Sequence, residues 1–187
     1  MSSTFQLDES DILFTLFEHL PSNGDVRMLE LRSHNPHSSQ NARFGCFSLT
    51  SDPPLHVIST LSTPTNHVFL VITRGTINDY LPVLTTIKKI DAQSPLSYGE
   101  HVHIEDERLV QAGRVGAVFL DPSFSPALLG FPKDTSIDGH MVQFFLTIFL
   151  DATDYEHLQK TDLTLFVRDV LKRRTALAEP ELPPIEH

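Results

Sequence analysis

Ten histidines are the residues of this chain most able to do chemistry, because neutral imidazole is the commonest protein ligand for a metal. The closest pairs are His34-x-x-His37 and His101-x-His103. A zinc centre needs three or four converging ligands with a supporting shell. Each pair supplies two, so the spacing favours solvated or hydrogen-bonded side chains, although His101 and His103 would share one face if they lie on a strand. Cys46 is the single cysteine, set in Phe44-Gly45-Cys46-Phe47-Ser48-Leu49. Nothing cationic stands beside it to favour a thiolate, so it reads as a small buried hydrophobe rather than a nucleophile. A lone cysteine also rules out an intramolecular disulfide and points to a reducing compartment. Asp151 and Asp154 are a carboxylate pair, but acidic residues after an apolar run also serve as caps and turn residues.

Other catalytic signatures are missing. There is no Gly-x-Ser-x-Gly elbow. Gly113-Arg114-Val115-Gly116 has two glycines without the spacing or the following helix of a phosphate-binding loop, which predicts a turn or bulge. With no motif that names a reaction, the chain reads as a non-enzyme that needs no cofactor and no metal.

Charge carries more information. Lys plus Arg number 14 against 24 for Asp plus Glu, a formal charge of −10, which repels nucleic acid and anionic membranes and favours a partner with a basic surface. The same charge also serves solubility alone. Lys172-Arg173-Arg174 is a basic cluster, explained by a helix C-terminus, where the dipole favours cations. If binding is the function, its energy should come from apolar or aromatic anchors, with charge setting rate and partner choice. Two loops qualify, Ser33 to Asn41 and Ser123 to Asp138. The second combines Phe124, Leu128, Leu129 and Phe131 with Asp134 and Asp138. Phe124, Leu128, Phe131, Asp134 and Asp138 are therefore the candidate partner-binding residues. The alternative is that the apolar ones pin a long loop to the core.

The elements that must position these residues follow from periodicity. Leu7, Ile12, Leu13, Leu16, Phe17 and Leu20 fall at three- and four-residue steps behind Asp8, Glu9 and Asp11, which predicts a helix over 8–20. Pro21 to Asp25 is a turn, and Val26–Arg32, Phe44–Thr50, Leu55–Leu61 and Asn66–Arg74 read as strands of one sheet. A helix is expected over 79–91, with Pro82 in its first turn. Short strands are expected at His101–Ile104 and Ala117–Leu120. Met141–Leu150 is too continuously apolar for an exposed edge and should be a central strand. Thr153 and Glu156 have the spacing of a capping box. Asp162 starts a last helix with Leu163, Phe166, Val167, Val170 and Leu171 on one face. Hydrophobic residues make up 40% of the chain, including 13 Phe, enough to build a core without disulfides or metal. The expectation is a single α+β domain over residues 1–175, a mixed β-sheet flanked by helices, with a flexible tail over 176–187. Acidic residues near the N-terminus and the lack of any apolar run of about 18 residues predict a soluble, cytoplasmic protein.

The order of segments resembles the suppressor-of-fused family. Phe69 to Ile90 is followed by Pro95-Leu96-Ser97-Tyr98-Gly99-Glu100-His101-Val102, then by Val118-Phe119-Leu120, then by Val142 to Leu150 running into Asp151-Ala152-Thr153-Asp154-Tyr155-Glu156. Over roughly residues 55–175 this is similar to the strands and acidic helix start of that family. The resemblance implies a mixed α/β protein without catalytic residues. It also implies the compact bacterial type, because the extra regions of the larger animal form are missing. Animal members hold peptide segments of transcription factors, and many bacterial members are immunity proteins encoded beside polymorphic toxins. The resemblance therefore implies an immunity protein that neutralises a cognate toxin, with a peptide-binding regulator or adaptor as the alternative. It carries no functional residue across.

Overall fold

The computed structural model describes residues 7–31, 42–49, 54–61 and 64–173; the expected Ser33–Asn41 loop and the tail over 176–187 lie outside them. Helix α1 (Glu9–His19) begins at Asp8, whose carboxylate accepts the Ser10 N–H at 2.8 Å, with Glu9 and Asp11 in the positive first turn. Strands β1 (Ser22–Leu31), β2 (Ala42–Leu49), β3 (Leu55–Thr60) and β4 (His67–Thr73) pair in sequence as an antiparallel meander. Helix α2 (Tyr80–Gln93) follows. Then come β5 (His101–His103), α3 (Glu107–Gln111), β6 (Arg114–Leu120), β7 (Asp134–Ile137), β8 (His140–Asp151), α4 (Ala152–Lys160) and α5 (Leu163–Arg173). The sheet runs β1-β2-β3-β4-β8-β6-β5, with β7 paired to the start of β8.

β8 is central, as its sequence requires: it lies parallel to β4 and antiparallel to β6 and β7. Its side chains alternate between two apolar layers. Phe144, Leu146, Ile148 and Leu150 pack with Ile12 and Leu16 of α1, Leu158 of α4 and Phe166 of α5. Phe145 and Phe149 pack with Leu84 and Ile87 of α2 and Leu109 of α3. Because helices cover both faces, every residue from Phe144 to Leu150 is buried, which is why the strand is an unbroken apolar run rather than an alternating one. The result is a mixed, open sheet with helices on each side, an α+β architecture.

Four local expectations are corrected. The Pro21–Asp25 turn is largely strand: β1 starts at Ser22, and the turn-forming residues appear as a register irregularity between Ser22 and Val26. The cap of α4 is Asp151, which accepts the Asp154 N–H at 2.8 Å, and Thr153 lies inside the first helical turn. Phe17 is not an inward residue of α1; it is 46% exposed. The Ser123–Asp138 loop contains two 3-10 turns and then β7, which forms a hairpin with β8. Asp138 and Gly139, with φ of 49° and 78°, are the two turn residues between paired Ile137 and His140. Asp-Gly is a strong hairpin signal, since both central positions need positive φ. Helix α3, too short to show a period, was not foreseen.

Candidate protein-binding surface

The five candidate residues do not all lie on one exposed surface. Leu128 and Phe131 are 1% and 4% exposed and belong to the core layer under α1. Phe131 meets the Phe144 ring edge-on at 5.2 Å and the His19 ring at 5.9 Å. Two short 3-10 turns, Pro122–Phe124 and Pro126–Leu128, carry the segment. Asp121 caps the first by accepting the Ser123 N–H, and Ser125 caps the second by accepting the Ala127 N–H. This spends Leu128 and Phe131 on fixing the segment and turns Phe124 (40% exposed) and Leu129 (84% exposed) outward. Asp138 holds the hairpin turn. Asp134 opens β7, and its charge, like that of Asp121, acts on Tyr98.

Tyr98 organises the ground beneath Asp134. Its hydroxyl lies 2.5 Å from the Lys133 carbonyl and 3.2 Å from that of Phe144, and its ring lies 4.5 Å from the Phe145 ring. The Lys133 ammonium sits 5.9 Å above the same ring. Burial, then the Asp134 and Asp121 charges, push the phenol well above its ordinary range.

Three polar clusters resemble chemical sites in composition. Ser48 Oγ lies 3.1 Å from His56 Nδ1 and donates to Asp25 Oδ2 at 3.2 Å. In a hydrolase the serine donates to histidine and the carboxylate orients the histidine. Here the carboxylate takes the serine proton, so the imidazole is the donor to Ser48. Ser48 is 3% exposed, and Asp25 is gripped by Arg27 at 2.7 Å. The cluster ties β1, β2 and β3 together. Burial and then the Arg27 charge push the His56 pKa down.

His67, Asp91 and Thr65 form a second cluster under the sheet end, and His101 and His103 a third. The third pair does share a face: both imidazoles meet the Tyr155 ring of α4 edge-on, at 5.3 and 6.1 Å. Gly116 makes room for that ring, since a Cβ there would strike the Val102 carbonyl and stand 2.7 Å from Tyr155 Cε2. Among the described residues no three His, Cys, Asp or Glu side chains converge on a point suited to a metal ion; His34 and His37 lie outside them. Cys46 is buried, and its thiol is pushed up to about 11 by burial. None of the described helices is long and apolar enough to cross a membrane.

No protein-family model matches the sequence, and no curated protein matches it. Among solved structures, a protein from Neisseria gonorrhoeae FA 1090 assigned as a SUFU (suppressor of fused protein) homologue matches with a TM-score of 0.67 at 13% identity, covering 91% of this chain and 94% of that one. The chain has a suppressor-of-fused-like fold. At that identity the likeness is one of backbone architecture, and it spans nearly the whole of both chains. Within the suppressor-of-fused-like fold, Pro95 to Val102 leads into β5, Val118-Phe119-Leu120 ends β6, and Val142 to Glu156 is β8 running into α4.

Spacing did not single out Phe14 and Phe17 of α1 as an outward pair, 62% and 46% exposed. Phe14 falls off the apolar stripe in the sequence, and that departure could have been noticed.

Proposed function

We propose that this chain is a non-catalytic protein-binding protein of the compact bacterial suppressor-of-fused type, acting in the cytoplasm as an immunity protein that neutralises a cognate polymorphic toxin by direct binding. One observation chiefly supports the reading. The 122–131 segment is fixed from below by Leu128 and Phe131, yet presents Phe124 and Leu129 to solvent on a chain of charge −10. Rigid apolar anchors on an acidic surface suit a basic macromolecular partner, with hydrophobic contact giving affinity and charge giving rapid capture. The suppressor-of-fused-like fold agrees with a binding role. The partner is a toxin or effector protein rather than nucleic acid or membrane.

Co-expression with the toxin encoded by the neighbouring gene tests this. A stable complex and restored growth are expected, with association slowing severalfold between 0.05 and 0.5 M salt, approximate limits across which screening shortens the charge range. Absence of both binding and rescue would remove the proposal.

A second reading rests on β1. At the end of the sheet order it pairs with β2 alone among the described residues, and an open edge can accept an extended peptide as an added strand. Affinity for a short extended peptide, lost when proline replaces Met28 or Glu30, would favour a peptide-binding regulator or adaptor.

A further inference from the structure

Helix α1 is amphipathic in an incomplete way. Ile12 and Leu16 are 2% and 0% exposed and Leu20 closes the same inward face, which accounts for the helix as a core element. Its opposite side is apolar too. Phe14 and Phe17, three residues apart and hence on successive turns of one side, are 62% and 46% exposed. Among the described residues these are the two most exposed phenylalanines, ahead of Phe124, and they stand together here. It is Leu13 that packs against the core layer and lies beside Gly45; neither Phe14 nor Phe17 belongs to the core clusters.

Apart from His19, the titratable side chains of α1 itself are of one sign. From Asp8 to Leu20 the chain carries Asp8, Glu9, Asp11 and Glu18 and neither Lys nor Arg. Asp8 is used as the cap, and Glu9 meets Arg43 at 3.3 Å. Asp11 and Glu18, seven residues apart, project within about 20° of one another around the axis and flank the phenylalanines. A second copy of this helix would bring the Asp11 and Glu18 carboxylates against their like, with no Lys or Arg on the helix itself to offset them, and an anionic bilayer would be repelled in the same way. A cationic helix with its own apolar stripe meets both the rings and the rail.

We infer that the outer face of α1 is a docking surface for a basic amphipathic segment of a protein partner, anchored on Phe14 and Phe17 and oriented by Asp11 and Glu18. The inference rests on the reading of this chain as a protein-binding protein and deepens it. The His19–Phe131 ring contact at 5.9 Å places the C-terminal end of α1 beside the 122–131 segment.

The test uses the full chain and a synthetic 18-residue peptide of Leu and Lys at helical spacing, with its Leu/Glu counterpart as control. Backbone amide shifts should move along residues 9–19 with the Leu/Lys peptide and stay still with the Leu/Glu one. The double variant Phe14→Ser/Phe17→Ser should bind the Leu/Lys peptide at least tenfold more weakly. Glu18→Lys, which keeps both rings, should weaken it severalfold. Leu165→Ser, which removes an exposed side chain from α5, should change it less than twofold. Unchanged melting of each variant shows that the fold is intact. Wild-type affinity in the double variant, or shifts confined to other elements, would overturn the surface. Toxin neutralisation at the wild-type level by the double variant would overturn it too while leaving the proposed function standing. Peptide binding as expected, with no toxin bound, would do the reverse.

Discussion

His67 Nδ1 lies 2.8 Å from Asp91 Oδ1, joining the first residue of β4 to the last turn of α2. The same Asp91 oxygen accepts the Leu96 N–H at 2.9 Å, and Oδ2 bonds Thr65 Oγ1. An ionised carboxylate can only accept, so the imidazole proton sits on Nδ1. One fully buried side chain thus clasps the turn before β4, the end of α2 and the segment that leads to Tyr98.

That clasp should be visible in acid. Burial pushes the Asp91 carboxyl up, but the bonds from His67, Leu96 and Thr65 together outweigh it and hold the pKa below the ordinary carboxylate value. A group depressed in the folded state stabilises the fold above its unfolded pKa of about 3.9 and loses that contribution as pH falls through the folded value. Urea midpoints should therefore drop below about pH 4. Asp91→Ala should cost about 3 kcal/mol at neutral pH, since it orphans buried donors, and should flatten the acid limb. An acid limb of wild-type steepness in the variant would refute the assignment.

Tyr98 makes the opposite prediction at high pH. Its phenol is raised by burial and by the Asp134 and Asp121 charges, so its contribution is complete below the unfolded pKa of about 10 and is lost as pH rises through the folded value. Ultraviolet titration of the native chain should show Tyr98 ionising only after the ordinary phenol range, and the Tyr98→Phe spectrum should lose that late component. The same variant should cost about 1 kcal/mol in chemical unfolding, because a hydroxyl bond to a main-chain carbonyl is lost.

Gly116 is required by close approach rather than by backbone angle. Ala at this position would push against the Val102 carbonyl and the Tyr155 ring, and overpacking of this kind costs about 1–3 kcal/mol. Hydrogen exchange should rise first in β5 and at the start of α4. Uniform loss of protection across the sheet would argue against this local account.

The 122–131 segment should divide into two kinds of residue. Leu128→Ala and Phe131→Ala should each lower stability by about 2–4 kcal/mol through a core cavity. Phe124→Ser and Leu129→Ser should change stability by less than about 0.5 kcal/mol, while weakening the toxin complex at least tenfold. Calorimetric unfolding and titration of the complex measure the two effects separately. Toxin binding unaltered in the Phe124 and Leu129 variants would move the partner elsewhere.

Elements whose period is long and regular could be read from the order of residues alone. Helix α1, the strands of the meander, α2 and the central β8 were legible in kind and place, although spacing fixed neither the exposure of Phe17 on α1 nor the start of β1 at Ser22. It also carried the charge and the order of segments that resembles the suppressor-of-fused family. Shorter features escaped that logic: α3 has no period to read, and the Asp138-Gly139 turn was masked by the loop-like composition around it. Only the tertiary structure could separate Phe124 and Leu129 from Leu128 and Phe131, because these residues are chemically alike and their exposure depends on which side of a 3-10 turn faces the sheet. The same holds for the His67–Asp91 clasp, whose partners stand 24 residues apart. Spacing sets which face of an element a residue occupies, but whether another part of the chain covers that face is decided only when the layers close.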